Sequence, residues 1–259
     1  MNPRATDGVN RPVAIEQPDR TDSGIVMPTR QSYVEFALGL QIEMIWIPGG
    51  KFLMGSPERE VGRYSDEVQH EVRLDGYWIG KYPITDSQWK ACMLSLPHPS
   101  TSRLPACDIA WEDATAFTRK LTELTGRTYS LPSEAMWEFA CRAGSATRYS
   151  CGDDALELAR HAWFDRNALD GPREVGLLLP NEFGLYDMHG NVWEWCTDWY
   201  GQLEALPVSN PTGSPFGQFR VRRGGAWGNG SWRLRSAHRG HHEPPQRSGR
   251  RGLRVVCVP

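Results

Sequence analysis

The chain has 259 residues, among them 11 Trp, 26 Gly and 19 Pro, and a formal net charge of −2. It is long enough to bury a substantial core, and its composition describes a compact, turn-rich chain low in long helix. No period of 20 to 50 residues recurs and no GxGxxG, Walker loop, HExxH or GxSxG occurs, which excludes a repeat protein and the common nucleotide-binding, zinc-protease and hydrolase readings.

Residues 1–32 are polar and punctuated by proline, without the apolar run that a secretory signal or membrane span requires. A flexible arm, no membrane partner and a cytoplasmic location are therefore expected. Order is predicted from residue 33 onward. Residues 33–36 and 42–47 read as strands, the second closed by Pro48-Gly49-Gly50, with 51–55 as its hairpin partner. Residues 56–69 form a loop, 70–74 alternate like a strand, and 77–85 run into a helix capped by Thr85 or Asp86, with Trp89 and Met93 facing inward. The clearest helix is Trp111 to Leu124, with Trp111, Ala114, Phe117, Leu121 and Leu124 on one stripe and Gly126 ending it. A short strand at 127–132 leads to Ser133, which caps a helix over 134–143 and leaves Glu134 in its first turn. Residues 147–180 are loop-rich, 196–215 form another excursion, and 219–223 return as a strand. The six Cys (92, 107, 141, 151, 196, 257) have neither CxxC pairing nor metal-finger spacing and read as free, mostly buried thiols.

One run organises the chain: Asn181-Glu-Phe-Gly-Leu-Tyr-Asp-Met-His-Gly-Asn-Val-Trp-Glu-Trp195. Bulky apolar anchors, a left-handed-capable Gly-Asn backbone and a hard anionic ligand fall within a few residues. The run resembles the signature of the formylglycine-generating enzyme (sulfatase-modifying factor) family, a variant of the C-type-lectin fold. Residues 125–140, Thr-Gly-Arg-Thr-Tyr-Ser-Leu-Pro-Ser-Glu-Ala-Met-Trp-Glu-Phe-Ala, strengthen the resemblance, with Leu131, Trp137 and Phe139 read as packing. It implies one α+β domain over 33–259 and a structural calcium ion held by the Asp187 and Glu194 carboxylates with the carbonyls of Gly190 and Val192. Calcium accepts such an irregular oxygen cage. The alternative is that both carboxylates are satisfied by protein donors.

The C-terminal block, 222–256, keeps the family frame at Gly224-Gly225, Trp227, Leu234-Arg235-Ser236-Ala237, Arg239, Pro244, Arg247 and Gly252-Leu253-Arg254. Formylglycine-generating enzymes oxidise a substrate cysteine with copper held by two thiolates just after the Gly-Gly-x-Trp/Tyr turn, because soft Cu(I) requires soft ligands. Here that stretch reads Gly228-Asn229-Gly230-Ser231-Trp232, and no cysteine follows until Cys257. Copper or iron as cofactor is therefore disfavoured. Between the frame positions lie Gly228, Asn229, Gly230, Trp232, Arg233, His238, Gly240, His241, His242, Glu243, Gln246, Ser248, Gly249, Arg250 and Arg251. This mixture of small, polar and aromatic residues on a fixed frame is the composition of adaptable binding loops. It resembles the variable proteins of diversity-generating retroelements, which carry a hypervariable C-terminal patch on the same fold.

Charge adds a clue. Residues 220–259 hold ten Arg and one acid, Glu243, a local charge of +9 that leaves −11 for the remaining 219 residues. Such asymmetry points to a polar or anionic partner, although Arg also pins irregular backbone. Nucleic acid is disfavoured for want of a known module and stacking aromatics. The leading expectation is a non-catalytic domain binding a protein or other ligand at 228–251. The alternatives are a divergent formylglycine-generating or iron/copper-dependent oxidase acting on a thiol, a zinc or iron site at His238, His241, His242 and Glu243, and an accessory scaffold joined through the arm.

Overall fold

The computed structural model describes residues 31–37, 40–94 and 102–259. The expected arm therefore falls outside the described residues except for Gln31 and Ser32, the latter already opening a strand. In chain order the elements are β1 (Ser32–Ala37), β2 (Leu40–Ile47), β3 (Gly50–Met54), β4 (His70–Leu74), β5 (Tyr77–Gly80), α1 (Asp86–Leu94), α2 (Trp111–Thr125), β6 (Tyr129–Ser130), α3 (Glu134–Arg142) and α4 (Ala155–Leu158). They continue as β7 (Trp193–Trp199), β8 (Val208–Ser209), β9 (Arg220–Arg223), a 3₁₀ turn at Ser231–Arg233, β10 (Gly240–His242), β11 (Arg251–Gly252) and β12 (Val256–Cys257).

A five-stranded sheet, β1-β2-β5-β12-β6, divides the interior. Side chains alternate across a strand, so Leu40, Ile42 and Met44 of β2 enter one core with α1 and α2, while Ile45 and Ile47 enter a second core with α3 and β4. The second core is shared with a four-stranded sheet, β10-β9-β7-β11; β3-β4-β8 form a third sheet. Helix starts follow the sequence reading. Thr85 and Gln88 cap α1 reciprocally, and Ser133 Oγ accepts the Met136 N–H at 3.2 Å. Gly126 ends α2 at φ 72°. The stacked Trp89 and Phe117 rings join α1 to α2 at a centroid distance of 5.3 Å.

Two sequence expectations need correction. Residues 51–55 do not form a hairpin with 42–47: both edges of β2 are taken, by β1 and β5, and β3 pairs instead with β4 in another sheet. The excursion expected from Cys196 begins only after Trp199, because β7 continues antiparallel to β9 with an irregularity between Trp195 and Trp199.

The C-terminal segment is fastened by buried arginines. Arg254 donates to both Glu194 oxygens and also reaches the Gly80 and Tyr186 carbonyls at 2.7 Å. Arg239 clasps Glu134 with two bonds of 2.8 Å, and Arg223 pairs with Glu138, which also binds Arg142. Arg235 meets Glu67 and Glu60. Removing one member of such a pair strands a desolvated charge. Arg254→Met is expected to lower unfolding free energy by about 3–5 kcal/mol, measured as a shifted urea midpoint at unchanged slope.

Candidate functional site

The run 181–195 is a backbone knot. Asn181 donates its amide to the Ala140 and Cys141 carbonyls at the end of α3 and accepts the Phe183 and Leu185 N–H groups. Asp187, Gly190 and Asn191 adopt φ of 58°, 88° and 58°, the left-handed region that Gly, Asn and Asp tolerate best. At Gly190 the close approach is also decisive, since a Cβ would stand 2.1 Å from the Trp163 carbonyl oxygen.

The four residues expected to hold calcium lie in this knot. Glu194 Oε2 accepts from Trp137 Nε1 at 2.7 Å and from Arg254 Nε at 2.9 Å; Oε1 accepts from Arg254 Nη2 at 2.9 Å. Trp137, read as packing, is thus also a donor. Asp187 Oδ2 accepts the Gly176 N–H at 2.8 Å and Oδ1 the Asn191 amide at 3.2 Å. Burial pushes the Asp187 carboxyl up to about 6, against its donors and Arg254. Gly190 donates its N–H to the Gly224 carbonyl, and Val192 is buried just ahead of β7. A calcium ion needs carboxylate oxygens free to coordinate it, whereas both oxygens of Glu194 are engaged by cationic or indole donors. Glu194 is thus satisfied by protein donors, while each Asp187 oxygen accepts a single hydrogen bond.

The candidate surface divides by burial. Asn229 is buried and closes the turn after Gly224-Gly225, its Oδ1 accepting the Ala226 N–H and its carbonyl the Asp165 N–H. Gly240 faces Trp193, and His238 is packed among Tyr64, Trp193 and Trp232, its Nδ1 3.7 Å from Glu67 Oε1. Burial and Arg235 push His238 down, against Glu67. Arg251 is buried too, donating to the Gln246 carbonyl at 2.7 Å.

Trp232, His241, Glu243, Gln246, Gly249 and Arg250 are exposed, and Gly228, Gly230, Arg233, His242 and Ser248 are partly so. Arg250 lies over the Trp227 ring and beside Gly228, Arg233 over Trp232, and His241 stacks on Tyr200 at 4.0 Å. Trp227 and Arg247, assigned to the frame, reach this surface as well; Arg247 pairs with Asp113 at 2.6 Å. His238 and His241 contact different neighbours, and among the described residues no three His, Cys, Asp or Glu side chains converge as a metal set. Cys196 and Cys257 are free and lie in separate cores, on β7 and β12. In the loop-rich stretch 147–180, Asp154 caps α4 and Asp153 accepts the Arg148 N–H.

Sequence reading missed Arg222, which lies over Trp193 at 4.5 Å, and Tyr64 and Tyr200, which wall the patch from distant loops. Only the alternation of Arg220-Val221-Arg222 hinted that Arg222 shares a face with Arg220.

Two tests follow. Adding EDTA is expected to leave the melting temperature unchanged, because both Glu194 oxygens are held by Arg254 and Trp137; a fall of several degrees would support the calcium assignment. The second test concerns His189, which donates Nδ1–H to the Leu234 carbonyl at 2.7 Å and accepts from Ser150 at Nε2. Burial drives its pKa down to about 4. The unfolded chain therefore binds the extra proton, and stability from this group is lost as pH falls from about 6.5 toward 4, about 3 kcal/mol in all. The His189→Gln variant is expected to flatten that part of the stability curve measured by urea titration.

Comparison with known proteins places this geometry. Residues 35–258 match the sulfatase-modifying factor enzyme 1-like domain. The chain is 31% identical over 246 residues to the serine/threonine-protein kinase pkn1 of Chlamydia pneumoniae, covering 83% of this chain but only 38% of that protein's length. It is 36% identical over 169 residues to the formylglycine-generating enzyme of Streptomyces coelicolor, covering 59% and 52% of the two chains. Variable protein 1 of Treponema denticola superposes with a TM-score of 0.80 at 25% identity, covering 90% of this chain and all of that one. Among the described residues, few helices and three sheets in one unit of this form make the α+β, C-type-lectin-like fold expected from the sequence. The chain belongs to the sulfatase-modifying factor enzyme 1-like family.

Proposed function

We propose that this chain is a non-catalytic recognition domain that binds a protein or other ligand through residues 228–251. The observation that carries the reading is the split within one segment. Arg223, Leu234, Arg235, Arg239 and Arg254 are buried and mostly ion-paired, while Trp232, His241, Glu243, Gln246 and Arg250 stand at the surface, where a ligand can reach their aromatic and polar groups. Such a division lets contact residues change without unfolding the frame. The likeness to a protein termed variable supports it. The stretch that holds the copper thiolates in formylglycine-generating enzymes is Gly228-Asn229-Gly230-Ser231-Trp232 here, and its Asn229 is committed to the turn. No helix among the described residues is long and apolar enough to cross a membrane.

The triple variant Trp232→Ala, His241→Ala, Arg250→Ser is expected to keep its melting temperature within about 3 °C, since exposed substitutions are each usually within about 0.5 kcal/mol. Peptides selected on the parent protein by display should lose at least tenfold affinity for this variant; retained binding would move the contact surface elsewhere. Retroelement diversification adds a genomic expectation: a near-copy of the coding stretch for 228–251, differing at adenines, beside a reverse transcriptase gene. The oxidase alternative predicts stoichiometric copper or iron uptake and oxygen consumption with a thiol, and observing both would overturn the binding-only reading.

A further inference from the structure

The ten arginines of residues 220–259 fall into two classes. Arg223, Arg235, Arg239, Arg247 and Arg254 each have a carboxylate within 4 Å. Arg220, Arg222, Arg233, Arg250 and Arg251 have no such carboxylate among the described residues.

The topology gathers Arg222 and Arg251, and Arg233, on the 3₁₀ turn Ser231–Arg233, is near enough to Arg222 to weigh on its charge. In the four-stranded sheet Arg222 stands opposite Trp195 and Arg251 opposite Trp193, and those tryptophans, two residues apart, share a face. Arg222 rests over the Trp193 ring at 4.5 Å and Arg251 lies 5.8 Å from the Trp195 ring centroid. Across from Arg222, β10 carries Gly240, whose absent side chain admits both groups: a Cβ there would lie 2.7 Å from the Trp193 ring and 3.0 Å from Arg222 Cγ. The Nε atoms of Arg222 and Arg251 are buried without an acceptor among the described residues. Arg251 is only 6% exposed. Burial, then Arg251 and Arg233, lower the Arg222 guanidinium to about 9. His242 borders the same group; burial, then Arg251 and Arg222, hold it down to about 4, opposed by Glu243, with His241 adding to the depression. The other acid facing the cluster is Asp108, near Arg251.

Like charges brought together on a half-buried face, with donors unmet, are destabilising until an anion joins them. We propose that Arg222, Arg251 and Arg233 form a binding site for an oxyanion group, a carboxylate or phosphate, carried by the ligand of this domain. Planar guanidinium groups bind both oxyanions through paired N–H donors, and the tryptophan faces keep them oriented. The inference deepens the recognition reading by naming the chemistry that its surface selects. It adds Arg222, which lies outside 228–251, as the central contact.

The test is an NMR titration of the His242 imidazole, identified with the His242→Asn variant, in the full chain at constant ionic strength. Inorganic phosphate and N-acetyl-aspartate are added in separate arms, with chloride as the reference. An anion seated on Arg222 and Arg251 should raise the His242 pKa saturably by about one unit, a tenfold preference for the protonated form. Which arm saturates at lower concentration distinguishes a phosphate from a carboxylate ligand. Arg222→Gln should abolish the saturable shift. Arg233→Gln, at the partly exposed rim, should weaken it several-fold and serves if the first variant does not fold. The inference is overturned if neither anion moves His242 beyond the chloride reference, or if folded variants respond as the parent does. That outcome would leave peptide binding at the exposed residues intact. Conversely, saturable binding of an anion with no selected peptide would retain this site and remove the broader surface.

Discussion

The structure depends on desolvated guanidinium groups that find carboxylates inside the protein. Burying one arginine without its anion costs several kcal/mol, so the segment 223–254 can lie in the interior only where Glu134, Glu138, Glu194 and Glu67 meet it. Those acids come from α3, β7 and the loop before β4, so each pair crosses between distant parts of the chain. Burial alone would raise the Glu134 carboxyl, but Arg239 and Arg223 hold it below its ordinary value. Pairs of this kind have a narrow geometry, and four in one segment fix its backbone more tightly than apolar contacts of the same area would.

That fixity is what makes a recognition surface physically reasonable. A loop tip can change its side chains when the positions on either side are held by buried bonds. The same segment alternates Arg235 and Arg239, locked inside, with Arg233 and His241, turned to the surface. The local charge of +9 consequently has two origins. About half of it is internal bracing for the fold. The rest, centred on Arg222, Arg233 and Arg251, has no carboxylate counterpart among the described residues and gives the patch its electrostatic character.

Much of the architecture was legible because local chemistry and tertiary role agreed. The stripe Ala114, Phe117, Leu121, ended by Gly126, specifies α2 by spacing and a left-handed cap. Ser133 and Thr85 mark helix starts because their oxygens meet otherwise unpaired N–H groups. Legibility failed where the outcome turned on competition between partners. Nothing local to 51–55 says that β5 occupies the second edge of β2. Glu194 reads as a metal ligand or as an ion-pair partner with equal ease, since an oxyanion suits either a calcium ion or Arg254, sixty residues away.

By itself the sequence determined the family frame, the principal helices with their caps, the kinked run 181–195 and the segment in which surface contacts would be sought. These are written in short-range spacing, glycine placement and turn chemistry, which act over a few residues. Only the tertiary structure decided which arginines are bracing and which are free, that Trp137 and Arg254 occupy Glu194, and that Arg222 joins Arg251 on one sheet face. The physical reason is that an arginine's role depends on whether a carboxylate reaches it through space, and strand pairing between segments far apart in the chain sets that distance.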